Sequence, residues 1–179
     1  MRASLVRLLL LAALAGSVPV AVPAAATPAR SHARLTLSSL ESGVLHRLNE
    51  IRVQHGLVPV KLNAALTVAA TQHSREMGAR GYFEHASADG TSFWKRIERW
   101  YGPGGFRIWS VGENLLWSSP DIDPVGALEL WMASPEHRRN ILDPAWRAIG
   151  VSAVHLGAAP GMYHGLAATI VTTDFGVRR

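Results

Sequence analysis

The chain has 179 residues, no cysteine and a formal net charge of +5. This length suits one ordinary domain with a sizeable hydrophobic core, and that core must hold without disulfide bonds. The basic residues are scattered, with adjacent pairs such as Arg138-Arg139 and Arg178-Arg179, so the clustered positive footprint of a nucleic-acid-binding protein is missing and no nucleic-acid partner is predicted.

The first 26 residues have the pattern of an export signal. Arg2 and Arg7 precede an apolar run over residues 8–15, and the small residues Ala24–Ala26 suit cleavage. We predict cleavage after Ala26 and a secreted mature chain of charge +3, because both arginines leave with the signal. The run is shorter than the roughly 20 apolar residues of a membrane-spanning helix, so no transmembrane segment is expected in the mature chain. An uncleaved N-terminal anchor is the alternative.

Residues 27–39 are rich in Thr, Pro, Ala and Ser without periodicity, which predicts a linker before a folded domain at residues 40–177. Apolar residues then recur at helical spacing from Leu40 to Ile51, and Gly56 follows where a C-terminal cap is wanted. Asn63 is the N-cap residue of a predicted second helix that ends near Gly81. His73 lies on the apolar face of this helix and is predicted to be packed and hydrogen-bonded.

A third helix is predicted from Asp89-Gly90 through Trp100, where a Gly-Pro-Gly-Gly run ends it. The next stretch alternates and predicts a strand with one charge among apolar neighbours on one face, namely Trp109, Val111, Glu113, Leu115 and Trp117. A glutamate in such a place must be paired or protonated, so a purely structural role for Glu113 remains an alternative.

Two more helices are announced by Asp123-Pro124 and Ser134-Pro135, which combine an N-cap with a first-turn proline. Residues 148–156 and 162–174 are rich in Val, Ile, Ala and Thr and predict a hairpin of two strands. Helices before and between strands, with an antiparallel end, indicate an α+β layered domain.

Three motifs in this order form a constellation. They are Gly81 to Ser92 around His85, Gly112-Glu113-Asn114, and Trp131 to Leu142 around His137. Together they resemble the bacterial, cysteine-free branch of the CAP superfamily (cysteine-rich secretory proteins, antigen 5 and pathogenesis-related proteins), over about Leu40 to Phe175. The resemblance implies an α-β-α sandwich with a three-stranded antiparallel sheet, and a large cleft with two histidines and acidic residues, here His85, Glu113 and His137.

One position departs from the animal and plant pattern of that superfamily. There a second glutamate follows the tryptophan that matches Trp131 by about three residues, and this chain has Ser134 at that place. Glu129 on the preceding helix is the candidate for the fourth cleft residue. Glu136 is interpreted more simply as a first-turn charge that the helix dipole favours.

The two histidines suggest that the cleft can bind a metal ion. Neutral imidazoles of His85 and His137 with nearby carboxylates form a weak, open site for a divalent ion such as zinc. The resemblance implies binding of a lipid or other extracellular ligand, including a cell-envelope ligand, and no single enzymatic activity. We therefore expect a secreted cleft protein in which catalysis is uncertain.

Two other functions stay open at this point. A His/Glu pair in a cleft also suits a metal-assisted or acid/base hydrolase of an extracellular or cell-wall substrate. No Gly-x-Ser-x-Gly elbow supports a serine nucleophile at Ser87 or Ser92. The third possibility is an envelope-interaction module whose cleft has lost its chemistry.

Overall fold

The computed structural model describes residues 36–179, which belong to one compact unit. The predicted signal, its cleavage site and the linker up to residue 35 lie outside the described residues. In chain order the elements are α1 Ser39–Gln54, β1 Lys61–Leu62, α2 Ala64–Arg80, α3 Phe93–Glu98, β2 Trp109–Ser118, α4 Pro124–Ala133, α5 Pro135–Ile141, β3 Ala148–Leu156, a 3-10 turn at Gly161–Tyr163, and β4 Ala168–Arg178.

The sheet has the strand order β1-β3-β4-β2. Strands β2 and β3 both pair with β4 in antiparallel fashion. These are the three strands that the sequence predicts. The predicted number of strands is nevertheless wrong, because β1 adds a fourth strand parallel to β3, with Lys61 opposite Ala148. A two-residue strand has no periodicity, so its pairing is decided by the chain that lies beside it. The α+β class is confirmed.

Helices cover both faces of the sheet because the side chains of β4 alternate between two cores. Val171, Phe175 and Val177 pack with residues of α1, α4 and α5. Ala168 and Ile170 pack on the other face with Met77 of α2. This arrangement makes the domain a sandwich of helices, sheet and helices.

Local signals set most helix ends where the sequence predicts them. The Asn63 Oδ1 accepts the Leu66 N–H at 3.1 Å, and the Asp123 Oδ1 accepts the Gly126 N–H at 2.7 Å. Gly81 ends α2 in the left-handed region, with φ of 71°. Helix α1 begins at Ser39, one residue before the predicted start, since Ser38 forms a capping box with Glu41.

The predicted start of the last strand is wrong. β4 begins at Ala168, because the 3-10 turn is followed by two residues with positive φ, His164 at 56° and Gly165 at 76°. These values are incompatible with extended strand backbone.

Strand β2 is the edge of the sheet, and it positions the candidate site. Glu113 points to the side of α2 and α3, together with the apolar residues that the sequence places on the same face. Asn114 points to the other side, where its Nδ2 donates to the His137 carbonyl of α5 at 3.2 Å. An edge strand leaves its outer flank open, so a cleft forms between the segments that approach it from both sides. Within residues 36–179, every helix is too short or too polar to cross a bilayer.

Candidate functional site

His85 lies in the loop that follows α2, and two arginine contacts fix this loop. The Nη1 of Arg96 donates to the His85 carbonyl at 2.9 Å and to the Ser87 hydroxyl at 3.3 Å. The His85 side chain remains 53% exposed, and its Nδ1 lies 2.8 Å from the Oε1 of Glu113. A carboxylate at this distance accepts the Nδ1–H, which leaves the Nε2 lone pair free for a ligand.

Glu113 is the buried centre of the site. Its side chain is fully buried, and its second oxygen, Oε2, accepts a hydrogen bond from the Nη2 of Arg96, whose side chain is 2% exposed. The two charges therefore form an ion pair away from water, and both carboxylate oxygens of Glu113 are occupied. The sequence prediction that this carboxylate must be paired is met by Arg96 and His85.

A second acid lies against this ion pair. Asp174 of β4 is directly opposite Glu113 in the strand register and is completely buried. Burial, followed by the charge of Glu113, raises the pKa of Asp174 well above its ordinary value, against the opposing effect of Arg96. With both acids ionised, neither can donate to the other, and the Asp174 oxygens lack a partner. A proton on Asp174 would give it a donor for Glu113, and the raised pKa favours this protonated form.

His73 of α2 completes the buried group, as a packed histidine. It is fully buried, and its Nε2 lies 2.9 Å from the Glu84 carbonyl, which fixes this nitrogen as the donor. Burial lowers the pKa of His73, outweighing the nearby charge of Glu113. The neutral ring thus anchors the start of the loop that carries His85.

His137 approaches from the opposite side, in the first turns of α5. Two asparagines attach this helix to β2, because Asn140 Nδ2 donates to Asn114 Oδ1 at 2.9 Å while Asn114 Nδ2 donates to the His137 carbonyl. Gly112 allows the close approach, since a Cβ there would lie 2.5 Å from the Asn140 Oδ1. Burial, then the neighbouring His85, lowers the pKa of His137, and Glu136 partly opposes this shift.

These residues line one cleft of about 530 Å³, which brings together His85, Glu113 and His137 from the three predicted motifs. Its remaining lining residues are Phe93, Gly112, Asn114, Glu136, Arg139 and Asn140. A larger cavity of about 640 Å³ is lined by the end of α4, by α5 and by the segment after α5, and neither histidine lines it.

The structure does not bring Glu129 into this cleft. Glu129 is exposed on α4 and lines a small cavity with Arg47 and Ile51 of α1. Helix α4 packs chiefly against α1, and Glu129 lies on the flank of α4 beside α1. The acid that α4 and α5 contribute to the cleft is instead Glu136, which is exposed at its rim.

Sequence reasoning missed Arg96 and Asp174, the two buried partners of Glu113. The strand pattern did show that Glu113 needs a partner, but a cation on α3 and an acid on β4 become neighbours only in the folded chain. A usable signal was the position of Asp174 among Val, Ile, Thr and Phe, where an unpaired charge is costly.

Taken together, the fold and the cleft define an α-β-α sandwich protein with two histidines and a buried glutamate at the edge of its sheet. Residues 45–171 match the model of the cysteine-rich secretory protein family, CAP. This chain belongs to that family, although it contains no cysteine.

Individual relatives agree with this assignment. The uncharacterized protein YkwD of Bacillus subtilis is 30% identical over 123 residues, which cover 69% of this chain and 46% of that protein. The chain therefore spans about half the length of this relative. An extracellular protein of Bacillus anthracis with an SCP domain is similar in structure, with a TM-score of 0.58, 27% identity, and 78% of this chain and 40% of that chain covered. An outer surface protein of Borrelia burgdorferi shares the fold, with a TM-score of 0.60 and 19% identity. The match covers 76% of this chain and 90% of that chain.

The first prediction concerns the charge of Glu113. Glu113→Gln removes the carboxylate that neutralises Arg96, and we expect a loss of about 1–3 kcal/mol in the free energy of unfolding. Asp174 faces the same guanidinium and can ionise in this variant, which limits the loss. The combined variant Glu113→Gln/Asp174→Asn leaves Arg96 without a counter-charge and should lose about 3–5 kcal/mol. Urea denaturation measures both, with the exposed Glu129→Gln as the control. Equal stability of wild type and double variant would contradict the buried ion pair.

The second prediction follows from the raised pKa of Asp174. Because the folded protein holds this proton above the ordinary Asp pKa of 3.8, the stability that Asp174 contributes is complete below about pH 4 and is lost as the pH rises towards its folded pKa. Asp174→Asn keeps a donor for Glu113 and has no proton to lose. Its unfolding free energy should therefore decline less than that of wild type as the pH rises, as denaturation at several pH values will measure. Parallel curves would show that Asp174 is ionised in the folded protein.

Proposed function

We propose that this protein is an exported CAP-domain protein whose cleft binds the polar part of a lipid or another extracellular ligand, with a divalent ion such as zinc held by His85 and His137. The observation that carries the proposal is the convergence of both imidazoles on one open cleft at the edge of the sheet. Export is supported by the predicted signal and by the extracellular and outer-surface locations named for the Bacillus anthracis and Borrelia burgdorferi proteins.

The residues present fit a weakly held ion. Glu113 fixes the ring of His85 through Nδ1, and the lowered pKa of His137 favours the neutral imidazole that binds metals. Among residues 36–179, no group of three or more His, Cys, Asp or Glu side chains is arranged to hold an ion. Two imidazoles would thus be the protein's share, and solvent or the ligand would complete the coordination. A bound ion would supply a positive charge that attracts an anionic group of the ligand.

The chemistry of the lining favours binding over catalysis. Glu113 is engaged by both Arg96 and His85 and its side chain is fully buried, so this carboxylate does not itself face a substrate. The described residues that line the cleft include no serine, threonine or cysteine that could act as a nucleophile. One observation keeps a hydrolase as the second candidate, since the exposed carboxylate of Glu136 lies at the same cleft as both imidazoles.

The third prediction tests the ion. Zinc titrated calorimetrically should bind wild type at neutral pH, and His85→Ala and His137→Ala should each lower the affinity at least tenfold, because the site has only two protein ligands. Affinity should fall as the medium is acidified through the ordinary imidazole pKa of about 6.5, with proton competition at His137 setting in at lower pH. His46→Ala is the control, because this side chain is 77% exposed and pairs with Glu50 on α1. If both cleft variants bind zinc like wild type, the ion does not bind here.

The fourth prediction tests the ligand independently of the ion. A panel of fatty acids, sterols and cell-wall muropeptides is titrated with and without zinc, and binding is followed calorimetrically. A cleft ligand should bind Glu136→Ala and Arg139→Ala several-fold more weakly or more tightly than wild type, because both exposed side chains line the cleft. Glu129→Ala lies outside it and should bind like wild type. No binding from the whole panel would count against a lipid or wall ligand, and product formation would favour the hydrolase.

A further inference from the structure

The exposed apolar side chains of the domain are concentrated in one segment that the cleft does not use. Within residues 36–179, eleven large hydrophobic side chains are exposed, and four of them lie in the 15 residues from 94 to 108. Three of these four are the only exposed Trp or Phe side chains within residues 36–179. The four are Trp94, Trp100, Phe106 and Ile108, with exposures of 42%, 48%, 51% and 45%. Four exposed apolar side chains within one short segment exceed the scattered single ones of an ordinary surface, and we call this segment the 94–108 surface.

The segment is anchored to the rest of the fold at several points. Buried Ile97 and Tyr101 anchor it in the core beside α2. The Trp109 Nε1 donates to the Tyr101 carbonyl at 2.6 Å, and Ile108 exchanges two backbone hydrogen bonds with Arg179, at 2.7 and 3.1 Å. The exposed side chains of this segment therefore lie between anchored points of the backbone.

The charges of the 94–108 surface are mainly positive. Lys95, Arg99 and Arg107 are exposed, whereas Glu98 is its only exposed acid. None of the three cations forms an ion pair with a carboxylate of the described residues, although Asp89 lies near enough to Arg99 to feel its charge.

The outer face of α2 continues this surface. The Trp100 Nε1 donates to the Gln72 side chain at 3.0 Å, and Gln72 shares a shallow cavity with Val68 and Arg75. Val68 adds another exposed apolar side chain, and Arg75 adds another cation.

We propose that the 94–108 surface docks this protein on the surface of an anionic lipid bilayer. Tryptophan and phenylalanine bury their rings in the headgroup region, while lysine and arginine beside them attract anionic lipids. A soluble anionic polymer without aromatic groups would account for the cations alone and would leave the four apolar side chains without a role. The surface combines both features, as surfaces that dock on anionic bilayers do. The proposal goes beyond the cleft and does not depend on what the cleft binds.

The fifth prediction tests this docking with the full exported chain. Co-sedimentation should show binding to vesicles of equal parts phosphatidylglycerol and phosphatidylcholine and much weaker binding to phosphatidylcholine alone. Trp94→Ala/Trp100→Ala/Phe106→Ala should lower the partition coefficient about tenfold or more. Lys95→Ser/Arg99→Ser/Arg107→Ser should do the same and should remove the salt dependence. Val125→Ala/Leu130→Ala removes exposed apolar side chains of α4, with exposures of 47% and 53%, and should bind like wild type.

Several outcomes would overturn the proposal. Equal binding to both vesicle types, or a loss of binding in the α4 control as large as in the aromatic variant, would remove the specific role of the 94–108 surface. Binding that depends on the cations and ignores the aromatic substitutions would point to a polyanion. Sedimentation equilibrium that shows a wild-type dimer and a monomeric aromatic variant, without vesicle binding, would make this face an interface between two copies. Circular dichroism of every variant establishes that the fold is kept.

Discussion

The buried ion pair between Arg96 and Glu113 is the constraint on which the site depends. Both side chains are withdrawn from water, and taking two charges out of water is costly, so the pair is poor evidence for added stability. What the pair does is hold two segments in register, because Arg96 comes from α3 and Glu113 from the edge strand β2. The same guanidinium holds the backbone of His85. Removing either charge would thus disturb the helix, the strand and the loop that meet at the cleft.

Charge balance around this pair explains the rest of the buried polar group. One guanidinium faces two acids, Glu113 and Asp174, and the interior can accommodate only one of them as an anion without leaving a negative charge uncompensated. The raised pKa of Asp174 therefore favours its protonated form, and burial lowers the pKa of His73 and favours the neutral ring. The imidazole rings of His85 and His137 line the cleft. Their backbone carbonyls accept hydrogen bonds from Arg96 and Asn114, respectively.

Helix α3 connects the cleft with the 94–108 surface. Its inward side carries Arg96 and Ile97, and its outward side carries Trp94 and Lys95. A six-residue helix with such opposite faces cannot shift without moving the ion pair of the cleft as well. Any shift of α3 on docking through the 94–108 surface would for this reason reach the ion pair of the cleft.

The sequence by itself determined the class of the fold, the order of the helices and their caps at Asn63 and Asp123. It also determined the alternation that places Glu113 among apolar residues. These features depend on local periodicity and on hydrogen bonds that span three residues. It also identified His85 and His137 through the motifs around them. Only the tertiary structure decided the two-residue strand β1, the exclusion of Glu129 from the cleft, and the partners of Glu113. Arg96 of α3 precedes Glu113 in the chain, and Asp174 of β4 follows it. No local sequence pattern predicts which buried charges meet. The sheet register and the helix packing bring these distant segments into the same small volume. An unpaired charge there is costly, so the arrangement that pairs the charges is favoured.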